Sequence, residues 1–162
     1  MTNKWLKHIL ENLHRDAFIW AVQCCRQNDE LAKDVLQTVY LKIVEKRAKF
    51  HEKSSIKTWL FRIIRNTAID HMKLNDKYEQ YEHRDEQSYD LFEEAVQGVE
   101  YQNLISQLPG RQRQILTLVF YHNMTLEQAS SVMDITLGTT RTHYDRGKKN
   151  LKKFILKMRQ YG

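Results

Sequence analysis

Apolar side chains recur at three- and four-residue steps along most of this chain, and this spacing restricts its fold more than any other feature. The first stripe comprises Trp5, Leu6, Ile9, Leu10, Leu13, Ala17, Ala21 and Cys24. Residues three and four apart lie on one face of an α-helix. The chain has one proline and five glycines, so a sandwich or barrel with many tight turns is disfavoured. The sequence therefore predicts an all-α fold.

Three helices are predicted before residue 74. The first apolar stripe ends near Arg26, and a second stripe runs from Leu31 to around Phe50 and leaves one polar edge. Residues 51–55 interrupt the pattern and offer a serine N-cap. A third, short helix is expected after them, to about Met72.

The sign of the charge changes twice along the chain. Residues 1–73 carry 14 Lys and Arg against 8 Asp and Glu, residues 74–100 carry 2 against 9, and residues 101–162 carry 10 against 3. We therefore expect two small helical domains, at 1–73 and 101–162, joined by an acidic linker at 74–100 with a helix near 91–96. Two basic blocks favour a polyanionic partner, DNA or RNA first.

The strongest local pattern lies between Thr125 and Leu151. Residues 125–128 have the sequence of a capping box, which predicts a short helix. A tight turn at 134–135 follows, and Thr136 is the expected N-cap of a longer, basic helix. A short helix, a tight turn and a longer basic helix form the helix-turn-helix pattern, whose second helix enters the major groove of DNA.

The exposed side of that second helix carries groups that suit base edges. Arginine can bond guanine twice, threonine can bond either base type, and aspartate can accept from cytosine N4. We expect a reading strip of Arg141, Thr142, Asp145 and Arg146, with Thr139 beside it. Phosphate contacts, which add affinity without sequence choice, are expected at Arg111, Arg113, Lys148 and Lys149. The alternative is a helical hairpin with a solvated basic face; the agreement of caps, turn and charge favours DNA.

Several function classes lack the residues that they need. Cys24 and Cys25 are sequence neighbours and cannot join distant segments, so packing in the core is favoured over a redox role. No ligand set for a metal, no nucleophile triad and no phosphate-binding glycine loop occurs at plausible spacing, so we expect no metal, no cofactor and no enzymatic activity. No apolar run of about 18 residues is present, which predicts a cytoplasmic protein without membrane insertion.

Both halves of the chain resemble the extracytoplasmic-function class of bacterial sigma factors. The second half is similar to the promoter-reading domain of that class in LPGRQRQIL (108–116), MTLEQA (124–129) and LGTTRTHYDRGK (137–148). Taken alone, it also resembles the DNA-binding half of a LuxR-type regulator. The first half is similar to the other sigma domain in AKDVLQTVY (32–40), at Phe50 and in WLFRIIRNTAIDH (59–71). The resemblance therefore covers nearly the whole chain.

The resemblance implies a subunit that binds core RNA polymerase, recognises promoter DNA and opens it. It assigns docking on the clamp helices of the polymerase's largest subunit to one edge of helix two, at Asp34, Gln37, Thr38, Tyr40 and Leu41. It assigns the minus-ten promoter element to helix three and the loop before it, at Lys53, Ser54, Lys57, Arg62, Arg65, Asn66 and Lys73. Cations can track the backbone of opened DNA while its bases are stacked or held in pockets. The helix-turn-helix would then read the minus-thirty-five element.

The sequence leaves the roles of Trp59 and of the acidic linker open. Trp59 lies on the apolar stripe of helix three, which favours the core over a base-stacking platform. The acidic linker either threads through the polymerase, as the resemblance implies, or is a solvated tether. An anti-sigma factor is a further partner of the class. Thr140, Asp145 and the pair Ser54-Ser55 depart from the pattern of the class, which affects the promoter sequence more than the function. The alternative function is a stand-alone helix-turn-helix transcriptional regulator.

Overall fold

The structure, a computed structural model, describes residues 3–79 and 103–161. All regular elements within these residues are helical, which confirms the predicted all-α fold. The chain folds into two compact units, one N-terminal and one C-terminal. None of the helices in the described ranges is both long and apolar enough to cross a bilayer.

The N-terminal unit packs three helices around a tryptophan. They are α1 (Asn3–Cys24), α2 (Asp29–Val44) and α3 (Ile56–Glu79). The Trp20 indole of α1 stacks on the Phe61 ring of α3 with centroids 5.7 Å apart, and its N–H donates to the Phe61 carbonyl at 3.0 Å. Both side chains are fully buried. This bond pairs the one polar group of the indole. The ring can therefore lie in the core without leaving a buried donor unpaired, which would cost free energy.

Helix α2 is shorter than predicted, and α3 is longer. The second helix ends at Val44 instead of near Phe50, because Lys46 has a left-handed backbone with φ 61° that cannot continue an α-helix. The third helix reaches Glu79 instead of Met72, since residues 56–79 contain neither proline nor glycine to end it. The boundary predicted at residue 73 therefore falls inside α3. The rest of the predicted linker, including the helix near 91–96, lies outside the described residues.

The two helices of the helix-turn-helix begin at the caps that the sequence predicts. Helical residues 103–106 precede α4 (Gly110–Leu116), a π-turn (Thr117–Tyr121), α5 (Leu126–Met133) and α6 (Leu137–Tyr161). The capping box is reciprocal: the Gln128 N–H donates to Thr125 Oγ1 at 3.1 Å, and the Thr125 N–H donates to Gln128 Oε1 at 3.0 Å. Thr136 Oγ1 accepts from the Thr139 N–H at 3.1 Å and so caps α6. Asp134, with φ 56°, makes the turn between α5 and α6.

The core of the C-terminal unit fixes the side of α6 that faces outward. Tyr144, Leu151 and Phe154 of α6 pack against a buried cluster of Ile105, Leu108 and Leu116. Thr140 and Gly147 of α6 are buried as well. These five α6 residues recur at steps of three and four residues, so they lie on one side of the helix and leave the opposite side to face outward.

Candidate nucleic-acid interface

The four residues of the predicted reading strip lie together on the exposed surface of α6. Arg141, Thr142, Asp145 and Arg146 are all exposed, and they form two adjacent pairs one turn apart, which places them on one helix face. Thr139 is exposed beside them. The strip occupies the N-terminal half of α6, directly after the Thr136 cap. A capped helix with its polar side chains outward has the shape and chemistry that the major groove admits.

The hydroxyl of Thr142 has a restricted hydrogen-bonding role. Its Oγ1 donates to the Gly138 carbonyl at 3.1 Å, one turn back along α6. The hydroxyl proton is therefore used inside the helix, while the oxygen lone pairs and the methyl group face outward. Such a threonine suits an amino donor on a base or the thymine methyl better than an acceptor on a base.

The residues expected to hold phosphates differ in how they are fixed. The Lys148 ammonium lies 4.4 Å from the centroid of the Tyr144 ring, which stacks on Phe120 with centroids 6.0 Å apart. This cation–π contact restrains a side chain that would otherwise be mobile. Lys149 and Arg111 are exposed, whereas Arg113 is partly buried. The four residues thus lie on two helices, Arg111 and Arg113 on α4 and Lys148 and Lys149 on α6.

The residues predicted for the minus-ten element do not form a single patch. Arg62, Asn66 and Lys73 are exposed and follow at steps of four and seven residues along one face of α3, with the partly buried Arg65 next to them. Helical periodicity places Lys57 on another side of α3, where its ammonium lies 5.6 Å from the Phe61 ring centroid.

The other two residues predicted for the minus-ten element belong to the α2–α3 loop, residues 45–55. Lys53 is exposed there and Ser54 is partly buried. Trp59, expected in the core, is only partly buried and packs against Phe50. The loop is therefore joined to the first turn of α3 through Phe50 and Trp59, and it adds an exposed cation, Lys53, to those of the α3 face.

The edge of α2 presents most of the residues predicted to dock on the polymerase. Asp34, Gln37 and Leu41 are exposed. Thr38 instead turns towards α3: its hydroxyl donates to the Asp34 carbonyl at 3.0 Å and lies 3.3 Å from His71 Nε2. Its polar group is thus engaged within the unit, so the docking prediction is weaker for Thr38 than for its exposed neighbours.

Helix α1 contributes to the same surface, which the sequence pattern did not predict. A groove of about 500 Å³ runs between α1 and α2, and it is lined by His14, Phe18, Lys33, Leu36, Gln37 and Tyr40. The Tyr40 hydroxyl and His14 Nδ1 are 2.8 Å apart, and burial raises the pKa of Tyr40. The signal that could have revealed this contribution is the spacing of His14 and Phe18, four residues apart beside the first apolar stripe.

Neither cysteine is placed for chemistry. Cys24 and Cys25 are both buried, and burial raises the pKa of Cys25 to about 11. The thiolate is the reactive form, so a thiol with this pKa is inert at neutral pH. Nor do the described parts of the chain bring three His, Cys, Asp or Glu side chains close enough to hold a metal ion.

Comparison with protein families matches both halves of the chain. The family model for sigma-70 region 2 matches residues 4–78, and the model for sigma-70 region 4 matches residues 104–153. The first match covers α1 to α3, and the second covers the helix-turn-helix with the helices before it. The two matched ranges therefore contain the α2 edge, the α2–α3 loop and the reading strip.

Relatives and solved structures agree with these matches. The extracytoplasmic-function sigma factor SigM of Bacillus subtilis is 28% identical over 138 residues, which span 78% of this chain and 80% of SigM. SigW of the same organism is 26% identical over 138 residues, spanning 75% and 74%. The sigma factor RpoE of Bartonella quintana, solved with the anti-sigma factor NepR, has a TM-score of 0.75 at 19% identity, covering 94% of this chain and 97% of that one. At this identity the structural likeness concerns the fold.

Proposed function

This chain belongs to the extracytoplasmic-function class of RNA polymerase sigma factors, and we propose that its two units contact the polymerase and two promoter elements through the surfaces described above. A sigma factor binds core RNA polymerase and directs transcription to particular promoters. The proposal assigns those tasks to named residues of this chain.

The observation that carries the proposal is the exposed strip on the capped N-terminal half of α6. Arg141, Thr142, Asp145 and Arg146 are the side chains that would read base edges of the minus-thirty-five element. Lys148, Lys149 and Arg111 would hold the flanking phosphates and fix the register of α6 in the groove. The mixture of cations with one carboxylate and one acceptor hydroxyl supports sequence-dependent contacts over uniform attraction to the backbone.

Two surfaces of the N-terminal unit complete the proposal. The face of α3 with Arg62, Asn66 and Lys73 would follow the DNA backbone at the minus-ten element, and Lys53 and Ser54 of the α2–α3 loop would approach its bases. The α2 edge, with Asp34, Gln37 and Leu41, would dock on the clamp helices of the largest polymerase subunit. Exposed Leu41 supplies an apolar centre there and the two polar neighbours supply a rim, as interfaces usually have. Because the polymerase works in the cytoplasm, we place the chain there too.

Run-off transcription tests the proposal directly. Core RNA polymerase from the bacterium that encodes the chain is mixed with the purified protein and a library of that bacterium's promoter fragments. The proposal predicts transcripts of discrete length from a small subset of fragments, which disappear when the protein is omitted. Absence of added transcripts from every fragment, with a core enzyme that responds to another sigma factor, would contradict it.

A stand-alone helix-turn-helix regulator is not favoured. Such a protein would account for the strip on α6 but would leave the region 2 match at residues 4–78 and the exposed α2 edge without a role. An anti-sigma partner stays a prediction, because the solved complexes share the fold with this chain at low sequence identity.

A further inference from the structure

We propose that Trp59 is a positioning residue: it holds the α2–α3 loop in the shape in which Lys53 and Ser54 select the bases of the minus-ten element. This inference rests on the proposed function, and it departs from both earlier interpretations of Trp59, as a core residue and as a stacking platform. The indole would act on DNA through the loop and not by touching a base.

The indole of Trp59 binds the first part of the loop. Its N–H donates to the Lys49 carbonyl at 3.1 Å, and its ring packs against Phe50 at a centroid distance of 5.4 Å and an interplanar angle of 56°. Two kinds of contact therefore join consecutive residues of the loop to the first turn of α3. The N–H that a stacked tryptophan would leave to solvent or to DNA is already used, and one partner already covers part of the ring.

The last residue of the loop is held at the same turn of α3. Ser55 Oγ accepts from the Thr58 N–H at 3.1 Å and donates to Thr58 Oγ1 at 2.9 Å. Thr58 is buried, which fixes this cap to the core. Residues 50–54 are thus anchored at both ends, to Trp59 and Thr58, which are neighbours in sequence. Between the anchors, Glu52 has a left-handed backbone with φ 59° that reverses the chain.

A loop anchored in this way can select bases because its polar groups are already in place. A mobile loop would lose conformational entropy on binding and would also adapt to the wrong base, whereas a fixed one discriminates by leaving groups of the wrong base unpaired. Sites built on a rigid support depend on the residues that hold them, even when those residues do not touch the ligand. Trp59 has this supporting position, in the first turn of α3 beside the residues that it holds.

The test is Trp59→Phe in the full chain, with Trp5→Phe as the matched control. Phenylalanine keeps an aromatic ring at position 59 but removes the N–H, and Trp5 is an exposed tryptophan of α1, 43% accessible. Each protein is assembled with core polymerase on a promoter pool whose minus-ten segment is randomised, and the transcribed templates are sequenced. We expect Trp59→Phe to reduce the preference among minus-ten sequences by about fivefold, the effect of losing one hydrogen bond. Its affinity for core polymerase should equal that of the wild type. The control Trp5→Phe should keep the wild-type preference.

Other outcomes overturn the proposal. A stacking platform would tolerate phenylalanine, so an unchanged preference among minus-ten sequences would contradict the positioning role of Trp59. An equal loss of transcription on every sequence would contradict it too, because a purely structural role produces that result. Amide hydrogen exchange of the isolated full chain is a second measurement that needs no transcription. Exchange of residues 50–54 should rise in Trp59→Phe and not in Trp5→Phe; equal exchange would overturn the anchor even if the wild type proved inactive as a sigma factor.

Discussion

A β-carbon built on Gly147 of α6 would lie 3.1 Å from Cδ1 of Leu116 on α4 and 3.3 Å from Cγ of the same side chain. Gly147 therefore marks a close approach of the reading helix to the core of its unit. Beyond this crossing, Asn150 Nδ2 donates to Gln112 Oε1 of α4 at 3.0 Å and fixes the rotation of α6. The direction in which the reading strip faces depends on this pair of contacts.

We expect Gly147→Ala to destabilise the protein in spite of the better helix propensity of alanine. Leu116 is fully buried and has little room to move aside, and the third atom near the added carbon is Gln112 Cβ at 3.3 Å. Overpacking costs about 1–3 kcal/mol and propensity returns about 1, so the free energy of unfolding should fall by about 1 kcal/mol in urea titrations. Gly138→Ala is the matched control on the same helix: nothing lies within 4 Å of its added carbon. Stabilisation by Gly147→Ala would contradict this expectation and show that α4 and α6 leave room for a methyl group.

Arg141→Ala should weaken promoter binding by the holoenzyme and reduce its preference for one base of the promoter. If the guanidinium reads a base edge, the loss is about 1–3 kcal/mol and the sequence preference relaxes at one position of the minus-thirty-five element. Competition binding with point-substituted promoter duplexes measures both. Arg159→Ala removes the same charge near the far end of α6 and should leave the preference intact. An equal loss by Arg141→Ala on all duplexes would make the residue a phosphate contact.

Gln37→Ala should weaken polymerase binding without affecting the fold. The side chain is exposed on α2 and lines the groove beside Tyr40, so its loss leaves the core of the N-terminal unit unchanged. We expect the Kd for core polymerase to rise about fivefold, or about 1 kcal/mol, in fluorescence titrations. Gln107→Ala is the control, because Gln107 is an exposed glutamine of the C-terminal unit, outside the α2 edge. Loss of helical circular dichroism in Gln37→Ala would instead make this residue structural.

Cys25 should make stability depend on pH in the alkaline range. Its pKa is raised by burial from 9.0 to about 11, so the folded chain binds the thiol proton more tightly than the unfolded chain. The stability that the protonated thiol contributes is complete below pH 9 and is lost as the pH rises to about 11. The free energy of unfolding should therefore fall more steeply over this range in the wild type than in Cys25→Ala. Equal slopes, or rapid thiol labelling of the native chain at neutral pH, would contradict a buried thiol.

The elements that local chemistry determines were predictable. Thr125, Gln128 and Thr136 form their caps through bonds within three residues, so the helix-turn-helix follows from the sequence alone. The exposed side of α6, with Arg141, Thr142, Asp145 and Arg146, followed from the helix-turn-helix pattern. The ends of α2 and α3 were harder to predict. A lysine gives little sign that it will adopt the left-handed backbone that ends α2, and the absence of a helix breaker does not say where α3 ends.

Contacts between helices could not be predicted from spacing. That Thr38 turns towards His71, that His14 meets Tyr40 and that Trp59 binds the Lys49 carbonyl all depend on how α1, α2 and α3 pack. The resemblance to sigma factors assigned Thr38 and Tyr40 to docking, and it could not reveal the partners that restrain them. It assigned Trp59 to the core because an apolar stripe cannot separate a buried ring from one that faces a loop.

We infer that this chain reads promoter DNA as part of the polymerase and not by itself. A mobility-shift titration with one transcribed promoter duplex, with and without core polymerase, tests it most directly. We expect a shifted complex of holoenzyme with duplex at protein concentrations that leave the duplex unshifted when core is omitted, and we expect Gln37→Ala to weaken only the complex with core. Tight, sequence-specific binding of the duplex by the chain alone, unaffected by added core, would contradict the account and indicate a stand-alone regulator.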